Sequence, residues 1–259
     1  MPLFSIITIC YNSEKTIKRT LDSVFIQSFT DYEYIIVDGD SKDGTLKILK
    51  QYEIKFNGKL KIKSEPDSGI YDAFNKGIQR AVGKYIWIVN SDDFIEKEAL
   101  QILYTFLSQR EFPDSIIVGG LRWVDKAGKE LYIKICNEAD IQKAYKKDWM
   151  IPHPSTIVPK SIYNKYGLYD DRFKAAGDMD WFHRIYPFVS FIIIPHVICN
   201  MTIGGITYTN SFKKEYREKK LFLTNKYSSP FRVCYGLLKW LYRKSRNTIM
   251  YKLFAKKSL

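Results

Sequence analysis

The chain's clearest chemistry is in the tetrapeptide Asn90-Ser91-Asp92-Asp93. It follows Lys84–Val89 (KYIWIV), an apolar run that reads as a buried strand. Two adjacent carboxylates at the end of such a strand are costly unless something cationic meets them. One reading has Asp92 and Asp93 hold a divalent metal and a nucleotide sugar. The other has Ser91 or Asp92 cap a helix that starts near Glu96.

Neighbouring strand ends bear on the choice. Tyr11 and Asn12 follow the run Leu3–Ile9, Asp38 follows Tyr34–Val37, and Asp67 follows Leu60–Lys63. Strands of a parallel sheet point their C-terminal ends one way, and ligands of open α/β sheets bind along that edge. One acidic residue after a strand is ordinarily a turn or cap. Several at successive strand ends favour a nucleotide site.

The elements that must position these residues alternate. Ile17, Leu21, Val24 and Phe25 fall on one helical face, with Ser13 as a candidate cap. A turn at Asp40–Gly44 leads to a helix over Thr45–Tyr52. Ile70, Phe74, Ile78 and Ala81 form a second helical stripe, and Lys97–Leu107 a later helix. This order predicts a parallel sheet covered on both faces. The second half is more mixed. Ser115–Val118 reads as a strand, and Arg122–Asp125 and Glu130–Ile133 as a hairpin around Lys126-Ala127-Gly128-Lys129. Helices are expected over Ser161–Tyr166 and Met179–Tyr186, and a strand over Phe191–Ile194 ended by Pro195.

Composition narrows the class. The 259 residues are 46% hydrophobic, with 19 Tyr and 16 Phe, which excludes a disordered chain. No apolar run reaches the roughly 18 residues that span a bilayer. The start reads as a first strand and not as a signal peptide. Cys10, Cys136, Cys199 and Cys234 lack metal-like spacing, and reduced structural thiols in a cytoplasmic protein are expected. Residues 213–259 hold 14 Lys/Arg against two Glu, so they carry +12 of the net +13. The body is nearly neutral, and an acidic partner is expected for the tail alone.

Ser5–Asn12 (SIITICYN) followed by Val37–Thr45 (VDGDSKDGT) resembles the opening of family-2 glycosyltransferases. Ser64–Gly77 (SEPDSGIYDAFNKG) is similar to the next block of a bacterial branch that builds surface polysaccharides. Asn90–Asp93 matches the metal motif. His153-Pro154-Ser155-Thr156, Gly167–Asp170 and Gly177–Asp180 match the acceptor half, and Gly204–Thr207 the closing loop. The likeness covers residues 3–210.

The resemblance implies a GT-A fold, a Rossmann-like and mostly parallel sheet flanked by helices. Residues 1–110 would bind the nucleotide sugar and 111–210 the acceptor, with the domain ending near Thr209. It also implies transfer with inversion. Asp38 would accept a hydrogen bond from the base, with Thr8, Tyr11 and Asn12 around base and ribose and Asp67 facing the nucleoside. Asp92 would touch ribose or metal, and Asp93 would be the main ligand of Mn2+ or Mg2+. Such hard cations need few protein carboxylates, because phosphates and waters complete the shell. Asp178 would be the general base, although Gly177 replaces the Glu usual before it. Asp180 is the alternative base or a helix cap. His153 would face the acceptor or pack between prolines, and Trp181 would stack on a sugar or belong to the core.

The donor is expected to be a UDP-sugar and the acceptor a lipid-linked saccharide at the cytoplasmic face of the cell membrane. Residues 211–259 would supply the peripheral attachment. Ser229-Pro230 starts a helix whose Phe231, Cys234, Leu238 and Leu241 alternate with Arg232, Lys239, Arg243 and Arg246, as in helices lying in a membrane surface. A helix packed on the domain is the alternative. Nucleic acid is not an expected partner, since neither a basic body nor a recognised binding module is visible. A sugar-nucleotidyltransferase would need a Gly-rich turn after the first strand, where Cys10-Tyr11-Asn12-Ser13 has none. A non-catalytic saccharide-binding protein is disfavoured by Asp38, Asp92, Asp93 and Asp178 occurring together.

Overall fold

The computed structural model describes residues 1–148, 151–204 and 212–255, with backbone alone for 212–214, 243 and 245–255. The chain divides into two compact units, Met1–Thr209 and Asn210–Leu259. The junction expected near Thr209 and the loop residues Gly205–Thr207 lie outside the described residues.

The first unit opens with the expected alternation. Strands β1 (Phe4–Cys10) and β2 (Tyr32–Asp38) are buried along nearly their whole length, as continuous β-branched and aromatic runs require in a sheet covered on both faces. Helix α1 (Ile17–Phe25) buries Ile17, Leu21 and Val24, the stripe seen in the sequence. Helix α2 (Thr45–Lys55), β3 (Leu60–Ser64), α3 (Ile70–Arg80) and β4 (Tyr85–Ile88) follow. β2 and β4 flank β1, all parallel, and β3 lies outside β2. Strand order therefore reverses at β1, which opens a crevice at the C-terminal ends of β1 and β4.

Beyond β4 the sheet becomes mixed. A short β5 (Phe94–Ile95) precedes α4 (Ala99–Ser108), β6 (Ile116–Val124), β7 (Glu130–Lys134), α5 (Glu138–Lys146), β8 (Thr156–Pro159), α6 (Lys160–Tyr166), α7 (Gly177–Ile185) and β9 (Phe191–Thr202). The sheet order is β3-β2-β1-β4-β8-β6-β9-β5, and β7 pairs with β6. β8 runs antiparallel to both β4 and β6 and so joins the two halves.

Several expectations are corrected. The two strands read at 115–118 and 122–125 are one, β6, whose far half forms the expected hairpin with β7. Pro195 does not end β9. The ladder passes from Val118 opposite Ile193 to Gly120 opposite Val197, so Pro195 sits in an irregularity where its missing N–H breaks no regular rung. Ser13 does not cap α1 with its side chain. Its carbonyl accepts from the Thr16 and Ile17 amides, while its hydroxyl lies 2.9 Å from that of Ser91.

The second unit contains α8 (Phe212–Lys226) and α9 (Pro230–Ala255), which starts at the expected proline. Phe222, Leu223 and Leu237 are buried. Leu223 packs on Gly236, and Lys244 pairs with Glu215.

Glu33 ties β1, β2 and the turn before β4 together. It accepts from the Ser5 hydroxyl (2.6 Å), the Lys61 ammonium (2.7 Å) and the Val82 amide (2.7 Å). Burial alone would push its carboxyl up, but these donors outweigh burial and hold it below the usual value. A carboxyl depressed in the folded state contributes stability above its unfolded pKa and loses it as pH falls through the folded one. Glu33→Gln should cost about 1–3 kcal/mol in urea unfolding at pH 7. The gap between the variant and the parent should shrink as the pH is lowered below about 4.

Candidate active site

The strand-end carboxylates fall into two kinds. Asp38 is fully buried and wholly engaged. It accepts from the Ser41 amide (3.0 Å), the Ser41 hydroxyl, the Ser64 hydroxyl (2.7 Å) and the Cys10 thiol (3.5 Å). It fixes the turn after β2 and has no oxygen left for a base, contrary to the role implied for it. Thr8 is likewise fully buried and accepts from the Tyr34 hydroxyl (3.0 Å), so it lies in the sheet and not beside a ribose. Asn12 works on the loop. Its amide donates to the Ser41 hydroxyl, and its side-chain oxygen accepts from the Lys42 amide, both at 2.8 Å.

Asp67 and Tyr11 are the open pair. Oδ1 of Asp67 accepts from the Gly69 amide at 2.9 Å. A side chain at Gly39 would strike the other oxygen, Oδ2, and would lie 3.4 Å from the Tyr11 ring. Gly39 thus lets a carboxylate and an aromatic ring that is 63% exposed approach one another at the crevice. Such a pair can stack a planar base and accept one of its N–H groups.

The Asn90–Asp93 loop is pinned from both sides, and neither Ser91 nor Asp92 caps the following helix, since β5 intervenes before α4. Asp93 is 2% exposed. Its Oδ1 accepts from the Thr202 amide (2.9 Å), and its Oδ2 from the Asn90 side chain (3.2 Å). Burial and then the charge of Asp92 push its carboxyl up to about 8. Asp92 is half-buried, and burial raises its carboxyl while Arg19 opposes this. No described side chain bonds to the Asp92 carboxylate. Its carbonyl instead accepts from the Arg19 guanidinium (3.0 Å) and the Thr202 hydroxyl (2.6 Å). The side-chain oxygen of Asn90 is buried without a partner.

This loop fits a divalent cation. Two adjacent carboxylates meet one guanidinium, and an amide oxygen beside them is unpaired. Among the described residues no group of three His, Cys, Asp or Glu gathers. A metal here would therefore complete its shell with phosphate oxygens and water.

Asp178 stands in the first turn of α7, where the helix dipole favours a carboxylate. Its Oδ1 accepts from the Met179 amide (2.8 Å) and the Tyr71 hydroxyl (3.1 Å). Asp178 and Asn90 line one cleft of about 440 Å3, with Tyr71, Phe74, Trp123, Lys134, Lys143, His153 and Lys174 also on its walls. The structure thus brings the end of β4 and the start of α7 to one cavity.

His153 lines that cleft too. It stacks on Phe74 with ring centroids 5.2 Å apart, and its Nε2 meets the Tyr169 hydroxyl at 3.1 Å. Burial lowers it to about 4, so it is neutral at pH 7 and acts as a packed, uncharged wall. Asp180 and Trp181 do not reach the cleft. Asp180 is buried and accepts from Arg184 at 3.0 Å as an i,i+4 ion pair, and it is not the cap of α7. Trp181 is buried against Tyr163 and Tyr169 and donates to the Gly167 carbonyl at 2.8 Å.

Two residues were missed by sequence reasoning. Arg19 carried no signal, being one basic residue on the polar side of an amphipathic helix. Tyr71 lies inside the Ser64–Gly77 block, but only the fold shows that it meets Asp178.

The mostly parallel sheet with acidic residues at its successive strand ends is the architecture of a glycosyltransferase of the GT-A type. The family model Glycosyl transferase family 2 matches residues 5–170, more than half of the chain, and the chain belongs to that family. A PGL/p-HBAD biosynthesis glycosyltransferase of Mycobacterium bovis is 27% identical over 187 residues, 71% of this chain and 70% of its own. The putative teichuronic acid biosynthesis glycosyltransferase TuaG of Bacillus subtilis is 41% identical over 110 residues, 42% of this chain and 43% of TuaG. S. aureus TarS 1–349 in complex with UDP-GlcNAc has a TM-score of 0.68 at 23% identity, over 87% of this chain and 66% of that one. The mannosyltransferase PcManGT from Pyrobaculum calidifontis, in complex with GDP-Man and Mn2+, has a TM-score of 0.60 at 18% identity, over 86% of this chain and 63% of that one. The chain thus spans less than two thirds of each of these solved chains, and the likeness to them is one of fold.

Asp38 acts through its four donors, so Asp38→Asn should destabilise the fold by about 1–3 kcal/mol by leaving one of them unpaired. Urea unfolding monitored by Trp fluorescence checks this. An unchanged midpoint would return Asp38 to the ligand.

Proposed function

We propose that the protein is an inverting glycosyltransferase. It moves a sugar from a UDP donor to a lipid-linked saccharide in the synthesis of a cell-surface glycan. The observation that supports this reading is that Asn90, next to the carboxylates proposed to meet the leaving group, and Asp178, the proposed base, line one cleft. The relation to TuaG, named for teichuronic acid biosynthesis, and the fold shared with a UDP-GlcNAc complex of TarS support the donor and product class.

In this reading Tyr11 and Asp67 receive the base. Asp92, whose carboxylate is open, holds the metal, and Asp93 holds the loop, which reverses the order implied by the resemblance. A bound Mn2+ or Mg2+ would supply Lewis-acid stabilisation of the charge that grows on the diphosphate. Asp178 takes the proton of the acceptor hydroxyl as its oxygen attacks the anomeric carbon. The new C–O bond forms as the bond to UDP breaks, and UDP leaves with the electron pair. His153 and Phe74 keep the wall beside Asp178 apolar and uncharged.

UDP release from a panel of UDP-sugars with Mn2+, using water as acceptor, tests the reading. Asp178→Asn should lower the rate by about 10²–10⁴ while UDP still raises the melting temperature. Asp92→Asn should lose the Mn2+-dependent part of that rise. Asp93→Asn should keep that part and melt lower. Release unchanged by EDTA, or by Asp178→Asn, would sink the proposal.

The tail is proposed to rest on the cytoplasmic face of the membrane. Phe231, Tyr235, Leu238 and Tyr242 recur at helical spacing on α9 and are exposed by 61–80%. Arg232 and Lys239 are interspersed among them. Among the described residues no helix is long and apolar enough to cross a membrane. Replacing Phe231, Tyr235 and Leu238 by Ser should release the protein from phosphatidylglycerol-containing vesicles in sedimentation without lowering its melting temperature. Undiminished co-sedimentation would refute the role.

A further inference from the structure

Gly177 directly precedes Asp178 at the start of α7, where the resemblance to family-2 glycosyltransferases implies a Glu. The structure supplies a physical reason. A methyl group on Gly177 would lie 2.8–2.9 Å from three ring carbons of Tyr71. Real side chains essentially never approach so closely, so the ring occupies the volume a side chain at 177 would need. The same Tyr71 reaches Oδ1 of Asp178 with its hydroxyl at 3.1 Å.

Tyr71 is held from several sides. It is buried on α3, packs edge-on against Phe74 at 5.7 Å, and lies 5.7 Å from Tyr169 between centroids. Burial and the charge of Asp178 hold the Tyr71 phenol well above its ordinary pKa, so it remains a donor at every working pH.

We infer that Tyr71 is a positioning residue for the base Asp178, and that Gly177 and Tyr71 form one coupled unit. The ring takes the place of the missing side chain, and the hydroxyl orients the carboxylate and favours its charged form. The inference rests on the reading of Asp178 as base.

The exchange has a chemical consequence. A Glu at 177 would set a second negative charge beside the base, and like charges disfavour the ionised form. A phenol in its place donates a hydrogen bond to that form. Other groups share the surroundings. Tyr169 feels the charge of Asp178, and His153 and Lys174 line the same cleft, with Lys134, Asp140 and Lys143 on its other elements. Within α7, Asp180 is turned to Arg184.

The test is kcat/KM for UDP release against pH, with Mn2+ and the best UDP-sugar of the panel. Tyr71→Phe keeps the ring over Gly177 and removes only the hydroxyl. It should fold and keep its donor KM, lower kcat at the plateau by less than Asp178→Asn does, and move the acid limb of the profile upward by about one to two pH units. At a pH on that limb its rate should fall about tenfold for every pH unit the limb has moved. Gly177→Ala should displace the ring and move the limb in the same direction without touching the hydroxyl. In a Tyr71→Phe background its additional effect on the limb should vanish, because the hydroxyl contact is already gone. An unshifted limb in Tyr71→Phe, with Asp178→Asn inactive, would reduce Tyr71 to packing. Equal, additive effects of Gly177→Ala in both backgrounds would overturn the coupling. Activity surviving in Asp178→Asn would instead overturn the base assignment.

Discussion

The site depends on what holds the carbonyl of Asp92. Arg19 of α1 donates to it and to the Thr202 hydroxyl (2.6 Å), and it lies 4.6 Å over the Phe94 ring. The Thr202 amide and hydroxyl in turn reach Asp93 and Asp92. Thr20, one residue after Arg19, donates to the Asp93 carbonyl at 2.6 Å. One guanidinium and one threonine therefore join α1, the loop after β4 and the end of β9. A charge-assisted hydrogen bond in a half-buried place is about twice as strong as a neutral one. The backbone is fixed before any ligand arrives, and the side chain of Asp92 is left to face what binds.

The same logic sorts the other acidic residues. A carboxylate at a strand end can be spent on the loop that follows it or kept for a ligand. Asp38 and Asp93 are spent: each has both oxygens in hydrogen bonds and almost no exposed surface. Asp67 uses one oxygen on the Gly69 amide, and Asp92 uses none on a described side chain. The closed members steady the open ones: Asp93 pins the loop that carries Asp92, and Asp38 holds Ser64 at the end of β3, three residues before Asp67.

This division limits what was legible in the residues alone. The βα alternation through β4 was readable, since buried parallel strands are continuous apolar runs and their helices carry stripes of three- and four-residue spacing. The gathering of the candidate site's carboxylates along one edge was readable too, because they follow parallel strands. The second half was less so. β8 is four residues between prolines and tyrosine-rich helices, and β9 runs through Pro195 at an irregularity that periodicity cannot show. The split of roles within the acidic set was not readable at all. Asp92 and Asp93 are neighbours of one type, and their difference lies in partners at Thr202 and Arg19, more than 70 residues away in sequence. Trp181 and Asp180 belonged to the core for the same kind of reason: their partners Gly167 and Arg184 are ordinary residues whose proximity only folding creates.

Charge placement links the catalytic unit to the proposed membrane role. The body is nearly neutral, so long-range attraction does little to gather an anionic donor, and recognition must come from contacts within the crevice. The excess sits in residues 213–259. At physiological ionic strength the screening length is about 8 Å, so those cations act on a lipid surface only near contact. There each contributes about 1 kcal/mol. Electrostatics of that reach can bring the tail to anionic lipid but holds it only while salt permits, whereas buried apolar surface is insensitive to salt. In the proposed attachment the exposed stripe Phe231, Tyr235, Leu238 and Tyr242 would supply the second signal that stable interfacial binding requires. An acceptor confined to the same surface would then be met by two-dimensional encounter, and the catalytic unit would need no charged funnel of its own.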